Sequence, residues 1–221
     1  MYIGTHIRED IDSAKYIYDN GGNFIQLFVN SSVKYNDLKK FLEQHQMKCV
    51  VHASYSINLA KEWDQYSGWI QQFILEITLA HQIGAFAIVV HMGKQMELEL
   101  PEAYNNMYTG LLYVHDQTLK YNSVKILLET PTGQGSEICY KIEDMAYFFK
   151  KFSRNKNINI SNRFGLCVDT CHIFAAGYNL TTKAAVYAYF EAFEELIGLR
   201  HLYLIHLNDS KKDVNLTISI V

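Results

Sequence analysis

Proline is nearly absent from this 221-residue chain, which has only Pro101 and Pro131, and arginine is limited to Arg8, Arg154, Arg163 and Arg200. The lack of proline excludes a stiff hinge. No low-complexity stretch divides the sequence, so one large domain with its own core is expected. Few arginines mean few planar forks for bidentate phosphate binding. A net charge of −3 gives no sign of a basic nucleic-acid-binding tail, while leaving room for a local basic rim. No apolar run reaches membrane-spanning length. Cys49, Cys139, Cys167 and Cys171 lack the spacing of a disulfide framework and read as buried thiols. Met1-Tyr2-Ile3-Gly4 leads straight into domain-like sequence. A reducing intracellular compartment, cytoplasm or nucleus, is the expectation.

What is present is a repeating alternation. Short β-branched runs occur at Cys49-Val50-Val51, Ala87 to Val90, Lys125 to Leu128, Gly165 to Val168 and Leu202 to Ile205, with earlier ones at Tyr2-Ile3-Gly4 and Phe24 to Phe28. Between them lie stripes at helical spacing: Trp69, Phe73, Ile77 and Ala80; Ile142, Met145, Phe149 and Phe152; Val186, Phe190, Phe193 and Ile197. Ile11, Ala14 and Tyr18 predict a helix ending at Gly21-Gly22, and Asn36 predicts an N-cap for Leu38, Phe41 and Leu42. Apolar strands alternating with helices imply a parallel sheet buried on both faces. Seven such units fit an α/β fold of the TIM (β/α) barrel type better than an open sheet.

The five later runs end in His52, His91, Glu129, Asp169 and His206, at intervals of 39, 38, 40 and 37 residues. One βα unit per interval brings all five to the C-terminal rim of a parallel barrel, where such enzymes carry their chemistry. One histidine at a strand end is usually structural. Five successive ends that are all His, Asp or Glu predict a divalent transition-metal site, zinc first, with manganese or iron as alternatives. His172 adds a sixth candidate one helical turn beyond Asp169, enough ligands for more than one ion with a bridging carboxylate.

The segments HASYSINLA (from His52), LLETPTGQGSEI (from Leu127), GLCVDTCHIFAAGYN (from Gly165) and HLNDSK (from His206) resemble the motifs of the endonuclease IV family. That family consists of zinc-dependent apurinic/apyrimidinic endonucleases of base-excision repair, on a TIM barrel of the xylose-isomerase-like type. The resemblance implies up to three zinc ions. His52, His91 and Glu129 would hold the first, Glu129 would bridge to a second held by Asp169 and His206, and His172 would serve a third. Glu129 would be the catalytic carboxylate. The partner implied is double-stranded DNA with an abasic site, cut 5′ to the lesion by a monomer with no membrane role. Tyr55 matches a family aromatic that wedges into the duplex; a tyrosine packed on the rim is the plainer alternative. The loop with Gly133 and Gln134 resembles one whose backbone N–H groups meet phosphate. Lys34 stands where the family has an arginine.

In the family the pattern runs past HLNDSK to an Asp-x-His pair and an eighth strand with a zinc-binding glutamate. Here Lys212 to Val221 contains neither histidine nor glutamate, and Asp213 falls too soon after His206 to match the family's aspartate. The expectation is one barrel domain over 1–211, a divergent tail over 212–221, the last βα unit missing, an incomplete site, and less zinc than three ions. Two rivals stand beside the nuclease: an inactive metal- or DNA-binding remnant, and a divalent-metal sugar isomerase. The isomerase is disfavoured by three histidines and the DTCH run.

Overall fold

The computed structural model describes residues 1–210. Lys211 and the tail over 212–221, including Asp213, lie outside the described residues. The order is β1 (Gly4–His6), α1 (Ile11–Asp19), β2 (Phe24–Leu27), α2 (Asn36–Gln44), β3 (Lys48–His52), α3 (Gly68–Ile83), β4 (Ala87–His91) and α4 (Leu100–Gln117). It continues with β5 (Lys125–Glu129), α5 (Ile142–Ser153), α6 (Ile158–Ser161), β6 (Phe164–Asp169), α7 (Thr170–Ala175), α8 (Lys183–Leu196) and β7 (Leu202–His206). The seven strands lie side by side in chain order and every neighbouring pair is parallel. This is the winding of a (β/α) barrel. Among the described residues no ladder joins β7 to β1, so both are edges.

Two apolar layers follow from strand alternation. Ile25, Leu27, Val51, Ile88, Val90, Ile126, Leu128, Leu166 and Val168 pack outward against the helices in one large core with Phe73, Ile77, Phe149 and Phe152. Val50, Ala87, Val89, Leu127 and Cys167 pack on the other face, inside the barrel. Burial on both faces explains why these strands read as continuous apolar runs rather than alternating ones. Among the described residues no helix is long and apolar enough to cross a membrane.

The structure departs from the sequence reading in several places. β1 begins at Gly4, not Tyr2, because its ladder pairs Gly4 with Phe24; Met1, Tyr2 and Ile3 are exposed. On α1, Ala14 is buried and Ile11 and Ile17 pack beside it, whereas Tyr18 is exposed, its ring tilted against His45 and edge-on to Phe41. Asn36 is the first helical residue of α2 rather than its cap. The N-cap position belongs to Tyr35, which is buried and whose hydroxyl accepts the Asn30 N–H at 2.7 Å. α4 escaped the sequence reading although Ala103, Met107, Leu111 and Val114 form a buried stripe. α3 stops at Gly84, in a left-handed conformation (φ 79°).

At α1 the N-cap is Asp10, whose carboxylate accepts the Ser13 N–H at 2.7 Å. Asp10→Ala is expected to lower stability by about 1 kcal/mol and to speed hydrogen exchange at Ser13. Unchanged exchange there would mean that the cap does not hold this helix end.

Candidate metal centre

In a strand, residues two apart share a face. Val50 and His52, Val89 and His91, Leu127 and Glu129, Cys167 and Asp169, and Leu204 and His206 are therefore stacked pairs, apolar below and polar at the rim. The lower layer floors the upper one. For β7 this depends on an irregular register. Leu166 lies opposite Leu202 but Cys167 opposite Leu204, so β7 accommodates one extra residue, Tyr203. Asp169 consequently faces His206; an unbroken ladder would set it opposite Ile205. Gly165 makes room for this, since a Cβ there would come within 2.4 Å of the Tyr203 ring.

Glu129, 1% exposed, is the hub. Its Oε2 lies 3.4 Å from His52 Nε2 and 3.2 Å from His91 Nε2. Its Oε1 lies 2.9 Å from His206 Nδ1 and 3.4 Å from His172 Nδ1. Asp169 Oδ2 is 3.7 Å from His206 Nδ1 and 4.0 Å from His172 Nε2. Asp169 also caps α7, its Oδ1 accepting the His172 N–H at 3.0 Å, so one short helix sets both residues. Three sets of ligand atoms each fall within 4.8 Å of one another: His52, His91 and Glu129; Glu129, Asp169 and His172; Glu129, Cys167 and His206. All three share Glu129. The cluster opens into a cavity of about 1360 Å³ that runs between the edges of β1 and β7, past Phe24, Phe86 and Leu204.

The donor set fits a cation. His52 donates its Nδ1–H to the Ala53 carbonyl (2.8 Å) and His172 donates its Nδ1–H to the Thr130 carbonyl (2.9 Å). In neutral rings both Nε2 atoms are then bare lone pairs. His52 Nε2 faces Glu129 Oε2, and that oxygen is buried with no hydrogen-bond partner. Two lone pairs held at 3.4 Å repel unless a proton or a metal ion lies between them. A proton is disfavoured on the neighbouring ring. Burial pushes His91 down to about 4, Glu129 only partly opposing it, so His91 is neutral at physiological pH. The 3.2 and 3.4 Å separations also match roughly 3.3 Å, the ligand–ligand edge of a tetrahedron with zinc–ligand bonds of about 2.0–2.1 Å. Burial alone would raise the Glu129 carboxyl, but the His206 hydrogen bond and the surrounding imidazoles hold it well below the usual carboxylate range. It stays an anion. Burial likewise works against a charged His206, yet Glu129 and then Asp169 raise its pKa above the ordinary value.

All six expected metal-site residues are thus brought together. His172, which the family resemblance assigned to a separate ion, stands in the same cluster, against both Glu129 and Asp169. Cys167 points inward, and its sulfur comes close enough to Glu129 and His206 to form one of the three sets. Burial, then the Glu129 and Asp169 charges, raises its pKa well above the ordinary thiol range, so it keeps its proton. All four cysteines are free and buried.

Supporting partners escaped the sequence reading. Gln26, on the inward face of β2, accepts His206 Nε2–H at 2.8 Å and reaches His6 Nδ1 at 3.2 Å. It thereby turns His206 Nδ1 toward the carboxylates. Asn208 donates to Asp169 Oδ2 at 2.6 Å, and Thr130 Oγ1 accepts the Asp169 N–H at 3.0 Å. The inward parity of Gln26 was the available signal. Nothing local marked Asn208 beyond its place in the HLNDSK run.

The expected DNA-facing residues are more scattered. Tyr55 is 61% exposed, with ring centroids 5.2 Å from both His52 and His91 and 5.5 Å from Phe28. Its ring contacts residues of the rim while most of its surface stays exposed. Burial, then Glu129 and Asp169, raises its pKa, so the phenol is neutral. Lys34 is exposed in the loop between β2 and α2. Gly133 has φ 75°, but the Gln134 N–H is directed at Thr132 Oγ1 (3.2 Å) and Glu137 Oε2 (3.4 Å). An internal hydroxyl and carboxylate therefore share that N–H. Gln134 Nε2 is buried without a partner and is the donor left to this loop position.

A family model described as a xylose isomerase-like TIM barrel matches residues 14–216. A probable endonuclease 4 of Haloquadratum walsbyi is 30% identical over 205 residues, covering 87% of this chain and 69% of that protein. Among solved structures, endonuclease IV from Thermus thermophilus superposes with a TM-score of 0.75 at 21% identity, over 96% of this chain and 78% of that one. The IOLI protein, whose structure contains a zinc atom, superposes with a TM-score of 0.71 at 15% identity, over 97% and 76%.

Proposed function

Because the chain belongs to the endonuclease IV family of xylose isomerase-like TIM barrels, we propose that it is a zinc-dependent hydrolase that cuts DNA 5′ to abasic sites. The observation that carries this reading is the convergence of three strand-end histidines, His52, His91 and His206, together with His172, on one buried carboxylate, Glu129, at the end of a fourth strand. His52, His91 and Glu129 would hold one zinc ion, and Asp169, His172 and His206 would hold further ions around the same carboxylate. Bound zinc polarises a phosphoryl oxygen and lowers the pKa of water toward neutrality.

The chain's own residues do the rest. Glu129, kept ionised at the centre, sets the distance between the ligand groups on its two sides. Gln26 and the Ala53 and Thr130 carbonyls fix which nitrogen each of His206, His52 and His172 presents. Tyr55 offers an exposed aromatic face beside the cluster, suited to an unpaired sugar or to the gap in a stack. Lys34 supplies a point charge for backbone phosphate.

Purified protein is expected to retain at least one zinc per chain by elemental analysis. It is further expected to nick a duplex with a single abasic site, leaving a 3′-hydroxyl that a polymerase extends, while an intact duplex stays whole. A chelator should stop cleavage and added zinc restore it. Tightly held zinc with no nicking would replace the nuclease with a metal-binding remnant. Turnover of a free sugar instead would favour the isomerase.

A further inference from the structure

α3 carries one acid on its apolar face. Glu76 lies among Trp69, Phe73, Ile77 and Ala80 and is 2% exposed. Burying a carboxylate costs several kcal/mol unless its oxygens are well satisfied. Both are met by neutral N–H donors: Gln72 Nε2 donates to Oε1 at 2.7 Å, and the Ser54 backbone N–H donates to Oε2 at 3.0 Å. Two accepting oxygens are the pattern of an ionised carboxylate.

Gln72 is one turn away on the same helix, but Ser54 is not local. It is the second residue after His52, and its N–H shares a peptide unit with the Ala53 carbonyl. In a trans peptide those two groups point in opposite directions. Glu76 grips one end, and the other accepts the His52 Nδ1–H at 2.8 Å. We propose that Glu76 is a positioning residue, which acts through the Ala53–Ser54 peptide to orient the His52 imidazole and to enrich its Nε2 as a metal ligand. An anion at the N–H end polarises the amide toward its oxygen and strengthens the bond that oxygen accepts. The arrangement is a carboxylate–histidine pair of the kind that supports metal ligands, lengthened by one peptide. The same peptide begins the loop that carries Tyr55 beside the cluster, so one anchor serves both side chains. The functional consequence rests on the zinc reading; the orientation of His52 does not, because it belongs to the metal-free protein.

The test uses the full chain with Glu76→Gln, which keeps an acceptor oxygen but removes the charge, and Glu76→Leu, which removes both. Ile77→Val on the same helix controls for general loosening. Zinc affinity is read by competition with a chromophoric chelator, and the His52 tautomer by ¹⁵N NMR of the metal-free protein. Glu76→Leu is expected to bind zinc about tenfold or more weakly and to blur the single-tautomer pattern of His52. Glu76→Gln should weaken binding less than Glu76→Leu, and Ile77→Val should move neither reading. Unchanged zinc affinity and unchanged His52 tautomer in folded Glu76→Leu overturn the proposal, as does an equal shift of both in Ile77→Val. If the leucine variant does not fold, the glutamine variant decides by the same two readings. If the wild type takes up no zinc, the metal reading fails and the His52 tautomer alone decides the relay.

Discussion

Glu129→Gln is expected to abolish cleavage next to abasic sites while leaving a folded barrel. The substitution keeps the volume of a side chain that is 1% exposed, so the packing of β5 against β4 and β6 persists. What goes is the one negative charge common to all three ligand sets. Removing one partner of a buried charged group costs about 3–5 kcal/mol. At about 1.4 kcal/mol per decade that is a loss of roughly two to three and a half decades in zinc affinity. Cleavage should fall further, because the same carboxylate sets the spacing of the ligands on its two sides. Circular dichroism should be unchanged and zinc content reduced. Activity within tenfold of wild type would place the chemistry outside this cluster.

Arg163→Ala is expected to produce the largest loss of stability with no change at the metal centre. Arg163 is 1% exposed and immediately precedes β6, at the end of the barrel away from the cluster. Its carbonyl accepts the Ile126 N–H at 2.9 Å, its Nη1 donates to the Tyr121 carbonyl at 2.9 Å, and its Nη2 donates to Thr118 Oγ1 at 3.0 Å. No carboxylate pairs with it among the described residues, and Nε has no partner. Burial lowers its pKa to about 10, so the charge survives at neutral pH. His115, buried beside it with both ring nitrogens unpartnered, is shifted down by burial and then by that charge. Losing two charge-assisted bonds and filling nothing in their place should cost about 3 kcal/mol after relief of the unpaired charge. For a domain of this size that is a fall in Tm of roughly 6–12 °C. Arg163→Met, which keeps most of the volume, should recover more than half of it. An unchanged Tm in Arg163→Ala would show that the buried guanidinium contributes nothing net. Altered zinc uptake would break the separation between a stability face and a functional face that parallel barrels impose.

The site was more legible than its supports. Five strand ends were visible because each polar residue terminates a β-branched run, and because intervals of 37–40 residues hold one βα unit each. Five of the helices, α1, α2, α3, α5 and α8, announced themselves by the spacing of their apolar residues. Asn36 misled because a capping side chain competes with whatever precedes it, and a buried Tyr35 won. Tyr18 misled because helical spacing alone does not say which edge of a stripe the sheet covers. Gln26, Asn208 and Glu76 were silent because a polar residue supporting a ligand looks like any other until its partner is located. Those partners lie 180, 39 and 22 residues away.

Strand parity and unit length are local properties of the chain, and they alone determined that His52, His91, Glu129, Asp169 and His206 share a rim and that their floor is apolar. The family resemblance was legible for the same reason, since its motifs sit in unbroken segments around those strand ends. Tertiary structure decided the rest. The extra residue in β7, admitted by Gly165 against Tyr203, turns His206 rather than Ile205 toward Asp169. Hydrogen bonds to Ala53, Thr130 and Gln26 choose which imidazole nitrogen of His52, His172 and His206 meets the carboxylates. A strand pattern repeats every two residues and cannot register a one-residue slip in its neighbour, nor does it specify the rotation of a ring. Both are settled by contacts between segments far apart in the chain, which exist only once the barrel has formed.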